Sequence, residues 1–240
     1  RAPDTDEWVQ ALGRVKERYQ PRWDEAPDGK LSPQEVIQRI GQLSPEDTVY
    51  VTGVGQHQMW AAHFLPHERP MKWLTSGGAG TMGFCIPAAM GAKVAQPDKV
   101  VWGIDGDGCF QMTNQELVTC ALNRIPIKIA IINNHALGMV RQWQSLFYDS
   151  RYSNTDLHTG HLPNFPMLAE AMGCVGLRAT NEAEMDDCIA KALEINDRPV
   201  VVEFVVHKDA MVWPMVAAGV SNDEIQVARN MAPVWEEEEL

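Results

Sequence analysis

The chain has 240 residues, 45% hydrophobic and 22% charged, the composition of a globular protein long enough to bury a sizeable core. Its 32 acidic and 20 basic residues leave a net charge of −12, which excludes a broad phosphate-backbone partner such as nucleic acid but leaves room for a local site for one small phosphate. No run approaches the roughly 18 apolar residues of a membrane span, so no membrane partner is expected. Five cysteines without a C-x-x-C pair read as reduced, mostly buried thiols of a cytoplasmic chain, neither a disulfide frame nor a zinc site.

In chain order, Trp8, Val9, Leu12 and Val15 follow helical spacing within residues 6–19, and the polar, Pro-containing stretch 20–30 follows as a linker. The chain starts with neither a signal pattern nor an initiator Met, so residues 1–31 are expected to be a helix and linker of a missing middle domain. Ser32-Pro33-Gln34-Glu35 reads as a capping box with Pro in the first turn, starting a helix. Residues 47–54, 99–104, 125–132 and 199–206 read as strands, β-branched and almost continuously apolar, as strands buried on both faces are. Helices are expected at 83–95, 138–148, 165–173 and 182–195, and a second capping box, Thr113-Asn114-Gln115-Glu116, opens one over 114–124. This alternation predicts an α/β fold, a doubly wound, mainly parallel sheet with helices on both faces, over residues 32–225. Residues 226–240 end in the acidic run "WEEEEL", a solvated tail.

Two stretches carry chemistry. Gly106-Asp107-Gly108 follows the second strand and Asn133-Asn134 the third, so β-α-β winding brings both to one sheet edge, where such folds bind ligands. Asp107 offers a hard anionic oxygen and Asn134 a neutral one, a set suited to Mg²⁺ shared with phosphates. The flanking glycines permit positive φ and close backbone approach. A calcium loop starting at Asp105 fails, because Phe110 stands where that loop needs glycine. The second stretch, Gly78-x-Gly80-x-x-Gly83, matches a dinucleotide fingerprint formally. It follows a poor strand and lacks the acidic residue that should close the unit, so close packing explains it better.

G-D-G, then 24 residues from Cys109 to Ile132, then N-N, resembles the diphosphate signature of thiamine-diphosphate enzymes. With "VGQHQMWAA" from Val54, "SGGAGTMGF" from Ser76 and "NNHALGMVRQWQ" from Asn133, the chain looks like the C-terminal domain of the acetohydroxyacid (acetolactate) synthase catalytic subunit. The resemblance implies that Asp107, Asn134 and the carbonyl of Ala136 hold Mg²⁺. It implies that Gln56, His57, Gly106, Gly108 and Cys109 contact the diphosphate. Met82 would prop thiamine into its bent shape, Gly80 would accept from its amine, and Met139 and Val140 would pack on it. Trp143 would line the substrate channel.

The implied activity is decarboxylation of pyruvate and ligation of the two-carbon unit to a second pyruvate or to 2-ketobutyrate, for branched-chain amino acid synthesis. The resemblance also implies FAD on the missing middle domain, a catalytic dimer or larger assembly, and a small regulatory subunit. The activating glutamate belongs to an absent N-terminal domain, so this chain carries no catalytic residue of its own and is expected to be inactive alone. Another thiamine-diphosphate decarboxylase or carboligase, or a non-catalytic assembly module, are the alternatives.

Overall fold

The computed structural model describes residues 4–20, 22–23, 26–66 and 70–227. Among the described residues six strands form one sheet: β1 (Val49–Thr52), β2 (Trp73–Leu74), β3 (Val101–Gly106), β4 (Lys128–Asn133), β5 (Val175–Ala179) and β6 (Val200–Val205). Their order is β2-β1-β3-β4-β6-β5, and every neighbouring pair is parallel. The mainly parallel sheet expected is therefore wholly parallel among the described residues.

Helices cover both faces. The helices are α1 (Asp6–Arg18), α2 (Pro33–Leu43), α3 (Gln56–Phe64), α4 (Cys85–Ala95), α5 (Asp107–Phe110), α6 (Glu116–Leu122), α7 (Gly138–Phe147), α8 (Phe165–Ala171) and α9 (Glu182–Glu194). Successive strand residues point to opposite sides. Trp102 and Ile104 of β3 therefore join a core with Ile37 and Ile40 of α2, Trp60 of α3 and Ile189 of α9. On the other side, Val101 packs with Ile86 of α4, Leu117 of α6 and Phe165 of α8. Phe110 meets Phe165 edge-to-face at 5.5 Å, an aromatic pair of about 0.5–1.5 kcal/mol beyond area burial, tying α5 to α8. No helix among the described residues is long and apolar enough to cross a membrane.

Four local expectations are corrected. Helix α2 does begin at Pro33, but the Ser32 hydroxyl donates to Gln34 Oε1 instead of accepting from the helix, so no capping box forms. Helix α6 begins at Glu116, because the Thr113 hydroxyl donates to the carbonyl of Gly83 and residues 111–115 stay in turns. Side-chain caps occur instead at Asn164 and Asn181, which accept from Met167 N and Glu184 N. The edge strand β5 has no counterpart among the expected strands. The linker carries a turn of 3₁₀ helix, Pro27–Gly29, and Trp23 packs edge-to-face on Phe64 at 5.0 Å. The acidic tail lies outside the described residues.

Candidate functional site

The strand order places the site. From β1 the chain turns to β2 on one side and then crosses to β3 on the other, so the carboxyl ends of β1 and β3 open a crevice between them. A cavity occupies it. Val54, Gln56 and His57 follow β1, Gly106, Asp107, Gly108 and Cys109 stand at the end of β3, and Asn134, Ala136, Met139 and Val140 follow β4; all line this cavity, as does Met82. Two expected residues do not. Gly80 lies at the exposed tip of the 76–83 loop, and Trp143, 46% exposed, lines a neighbouring groove that shares Val140 with the cavity.

The twin asparagines divide their work. Asn133, the last residue of β4, turns inward: its amide donates to Glu203 Oε1 at 2.7 Å, and Arg178 clamps the other Glu203 oxygen at 2.7 Å. Its own oxygen accepts from His135 N at 3.0 Å, turning the chain beyond the strand. Asn134 faces the cavity, where its amide donates to Gln56 Oε1 at 3.0 Å. Gln56 in turn donates to Gln142 Oε1 at 2.8 Å, linking the starts of α3 and α7. Asp107, 1% exposed, accepts from the Thr159 hydroxyl at 2.8 Å. Burial pushes its carboxyl up to about 7.

The donor chemistry suits a hard cation and an anion together. Among the described residues no lysine or arginine lines the cavity, and burial holds His57 at about 3, hence neutral. The charge available there is the Asp107 carboxylate. A diphosphate would be repelled by it unless a cation stood between them. A carboxylate, the Asn134 amide oxygen and the Ala136 carbonyl are the oxygen donors Mg²⁺ takes while keeping positions for phosphate and water. Helices α3 and α7 start at the cavity, offering backbone N–H groups to an anion.

The flanking glycines act through space and not through φ, which corrects the expected role. Gly106 has φ −98°, and positive φ occurs instead at Gly80 (63°) and Gly83 (84°). A Cβ at Gly106 would stand 2.7 Å from His57 Nδ1, and one at Gly108 would stand 2.6 Å from Leu137 Cδ2. Either would push into the cavity wall. Three participants were not among the expected site residues: Thr159 in an irregular stretch, Gln142 on α7, and Asp105, buried beside His57. Only Asp105 had a cue, as an acidic residue within an apolar strand.

Residues 53–204 match the family model described as thiamine pyrophosphate enzyme, C-terminal TPP binding domain. The chain is 58% identical over 234 residues to an acetolactate synthase of Mycobacterium leprae, covering 97% of this chain and 37% of that protein. It is 55% identical over 238 residues to the acetolactate synthase large subunit of Corynebacterium glutamicum, covering 98% and 38%. Against the acetolactate synthase isozyme 2 large subunit of Escherichia coli the identity is 40% over 219 residues, covering 91% and 39%. The chain thus spans well under half the length of the curated relatives it matches. Its cavity at the crevice of the parallel sheet and the match over residues 53–204 agree: this chain belongs to the thiamine pyrophosphate enzymes, as their C-terminal TPP binding domain.

Proposed function

We propose that this chain is the diphosphate- and Mg²⁺-binding part of an acetolactate synthase catalytic subunit. One observation carries the reading: Asp107 and Asn134, from two separate strand ends, face one cavity that no lysine or arginine among the described residues lines. In this reading Asp107, Asn134 and the Ala136 carbonyl hold Mg²⁺, and Gln56, His57, Gly106, Gly108 and Cys109 receive the diphosphate. Met82, Met139 and Val140 pack on the body of the cofactor, Gly80 accepts from its amine, and Trp143 borders the path of the substrate. Bound there, thiamine diphosphate would supply the carbon nucleophile for a 2-keto acid. The apolar wall of Ile132, Leu137 and Met139 excludes water from that chemistry.

The whole subunit would act on pyruvate and then on a second pyruvate or 2-ketobutyrate, in the cytoplasm. FAD would occupy a middle domain of the whole subunit, and a catalytic dimer would pair with a small regulatory subunit. The "large subunit" in two relatives' names supports that smaller partner. Calorimetric titration with thiamine diphosphate is expected to show binding in Mg²⁺, none in EDTA, and none in Asp107→Ala. Equal binding in Mg²⁺ and EDTA would refute the metal clamp. The purified chain alone is expected to turn over no pyruvate, and detectable turnover would refute the assignment of the activating group to an absent domain.

A further inference from the structure

We propose that His57, Asp105 and Cys109 form a second cation site, for one borderline-soft divalent ion of the Zn²⁺ class, in the floor of the cavity and separate from the oxygen donors of Asp107 and Asn134. One donor atom from each residue lies within 4.8 Å of the others, and all three residues are buried. His57 Nε2 stands 3.6 Å from Asp105 Oδ1, too far for a hydrogen bond. It is close to the spacing of about 3.4 Å between two ligands of one tetrahedral ion with bonds of about 2.0–2.1 Å.

Two atoms there lack partners among the described residues. His57 Nε2 and Asp105 Oδ2 are buried without any hydrogen bond, although such atoms in folded chains are almost always satisfied. The donors also converge. A Cβ on Gly53 would stand 2.6 Å from Cys109 Sγ and 2.8 Å from His57 Nε2, and would collide with Asp105 Oδ1. Glycine at 53 therefore leaves open a small volume that three different ligand types share. Imidazole, thiolate and carboxylate together select Zn²⁺ or Co²⁺ over Mg²⁺, which takes oxygen donors.

The sulfur is prepared for this role. Cys109 Sγ accepts from Gly83 N at 3.0 Å and Val54 N at 3.4 Å, outer contacts that orient the sulfur. As the sulfur–metal bond forms, the thiol proton leaves to solvent and no electrons are exchanged. His57 and Cys109 both line the cavity, so the fourth position of the ion takes a water from that side. The three residues come from α3, β3 and α5, which is why cysteine spacing alone excludes a zinc motif and misses this site.

The test is a Co²⁺ titration of the 240-residue chain in excess Mg²⁺, which keeps the oxygen site filled. The expected result is a thiolate-to-metal charge-transfer band that saturates at one equivalent. Cys109→Ser must abolish the band, while Asp107→Ala and Cys120→Ala must leave it. Absence of the band in the unmodified chain, or its survival in Cys109→Ser, overturns the site. Its loss in Asp107→Ala overturns the separation from the oxygen site. Should Cys109→Ser fail to fold, His57→Gln takes its place, and Co²⁺ affinity weakened by less than about tenfold overturns the proposal.

Discussion

Thr159 shows how one hydroxyl can set the geometry of a carboxylate. Its Oγ1 lies 2.8 Å from Asp107 Oδ2, 2.8 Å from Asn133 Oδ1 and 2.9 Å from His135 Nδ1. A hydroxyl has one proton to give and lone pairs to receive. Donating to Asp107, it fixes one carboxylate oxygen. Groups that orient metal ligands in this manner change metal affinity about 10–100-fold when removed. Thr159→Val is therefore expected to weaken Mg²⁺ in the thiamine diphosphate titration about tenfold, with Thr159→Ser restoring it. Unchanged Mg²⁺ affinity in Thr159→Val would reduce the residue to packing. Asp107 was legible from its two glycines and the distant amide pair. Thr159 was not, because it sits in an irregular stretch whose shape comes from tertiary contacts such as Leu157 N to His135 O at 3.0 Å.

At the scale of elements, the start of α7 is packed against the cavity with no room to spare. A Cβ at Gly138 would stand 2.5 Å from Asn134 Nδ2 and would collide with Gln56 Oε1, the two ends of the hydrogen bond joining β4's exit to α3. Gln142, one turn further along, accepts from Val212 N and donates to Val212 O, so the helix also anchors the segment after β6. Gly138→Ala is expected to force α7 away from α3. The cost should be about 1–3 kcal/mol of stability in urea denaturation, with cofactor affinity falling alongside. Wild-type values for both would mean that the bridge shifts freely and does not position Asn134. The central strands were readable because burial on both faces makes them continuous apolar runs. Strand β5 was not: it lies at the sheet edge, with Gly176 and Arg178 interrupting its pattern. The capping boxes misled for a different reason. Ser32 and Thr113 matched the local pattern, but Gln34 and the Gly83 carbonyl took their hydroxyls.

Across the whole molecule, the five cysteines decide how stability responds to alkali. All five are free and buried, as their apolar surroundings in the sequence suggested. Burial raises Cys120 to about 12 and Cys174 to about 11, and pushes Cys85 and Cys109 up as well. An unfolded thiol loses its proton near 8.5. Above about pH 8.5 the folded chain thus holds protons that the unfolded chain has released, and stability falls as pH rises. Lys128 works the other way. Burial lowers its ammonium to about 8 from an ordinary 10.5, so between those values the unfolded chain binds the extra proton and stability rises with pH. Lys93, lowered by burial too, acts in the same direction, but two lysines stand against five raised thiols, and above about pH 9 the thiols prevail. The urea midpoint, measured under reducing conditions, is expected to fall between about pH 8 and pH 10.5, and to fall less in Cys120→Ala. In Lys128→Met the decline should be steeper than in the unmodified chain, because the opposing proton uptake is gone. A midpoint that holds or rises to pH 10.5 would mean that water reaches these thiols in the folded state, and the dry two-sided core drawn around β3 and β4 would be wrong.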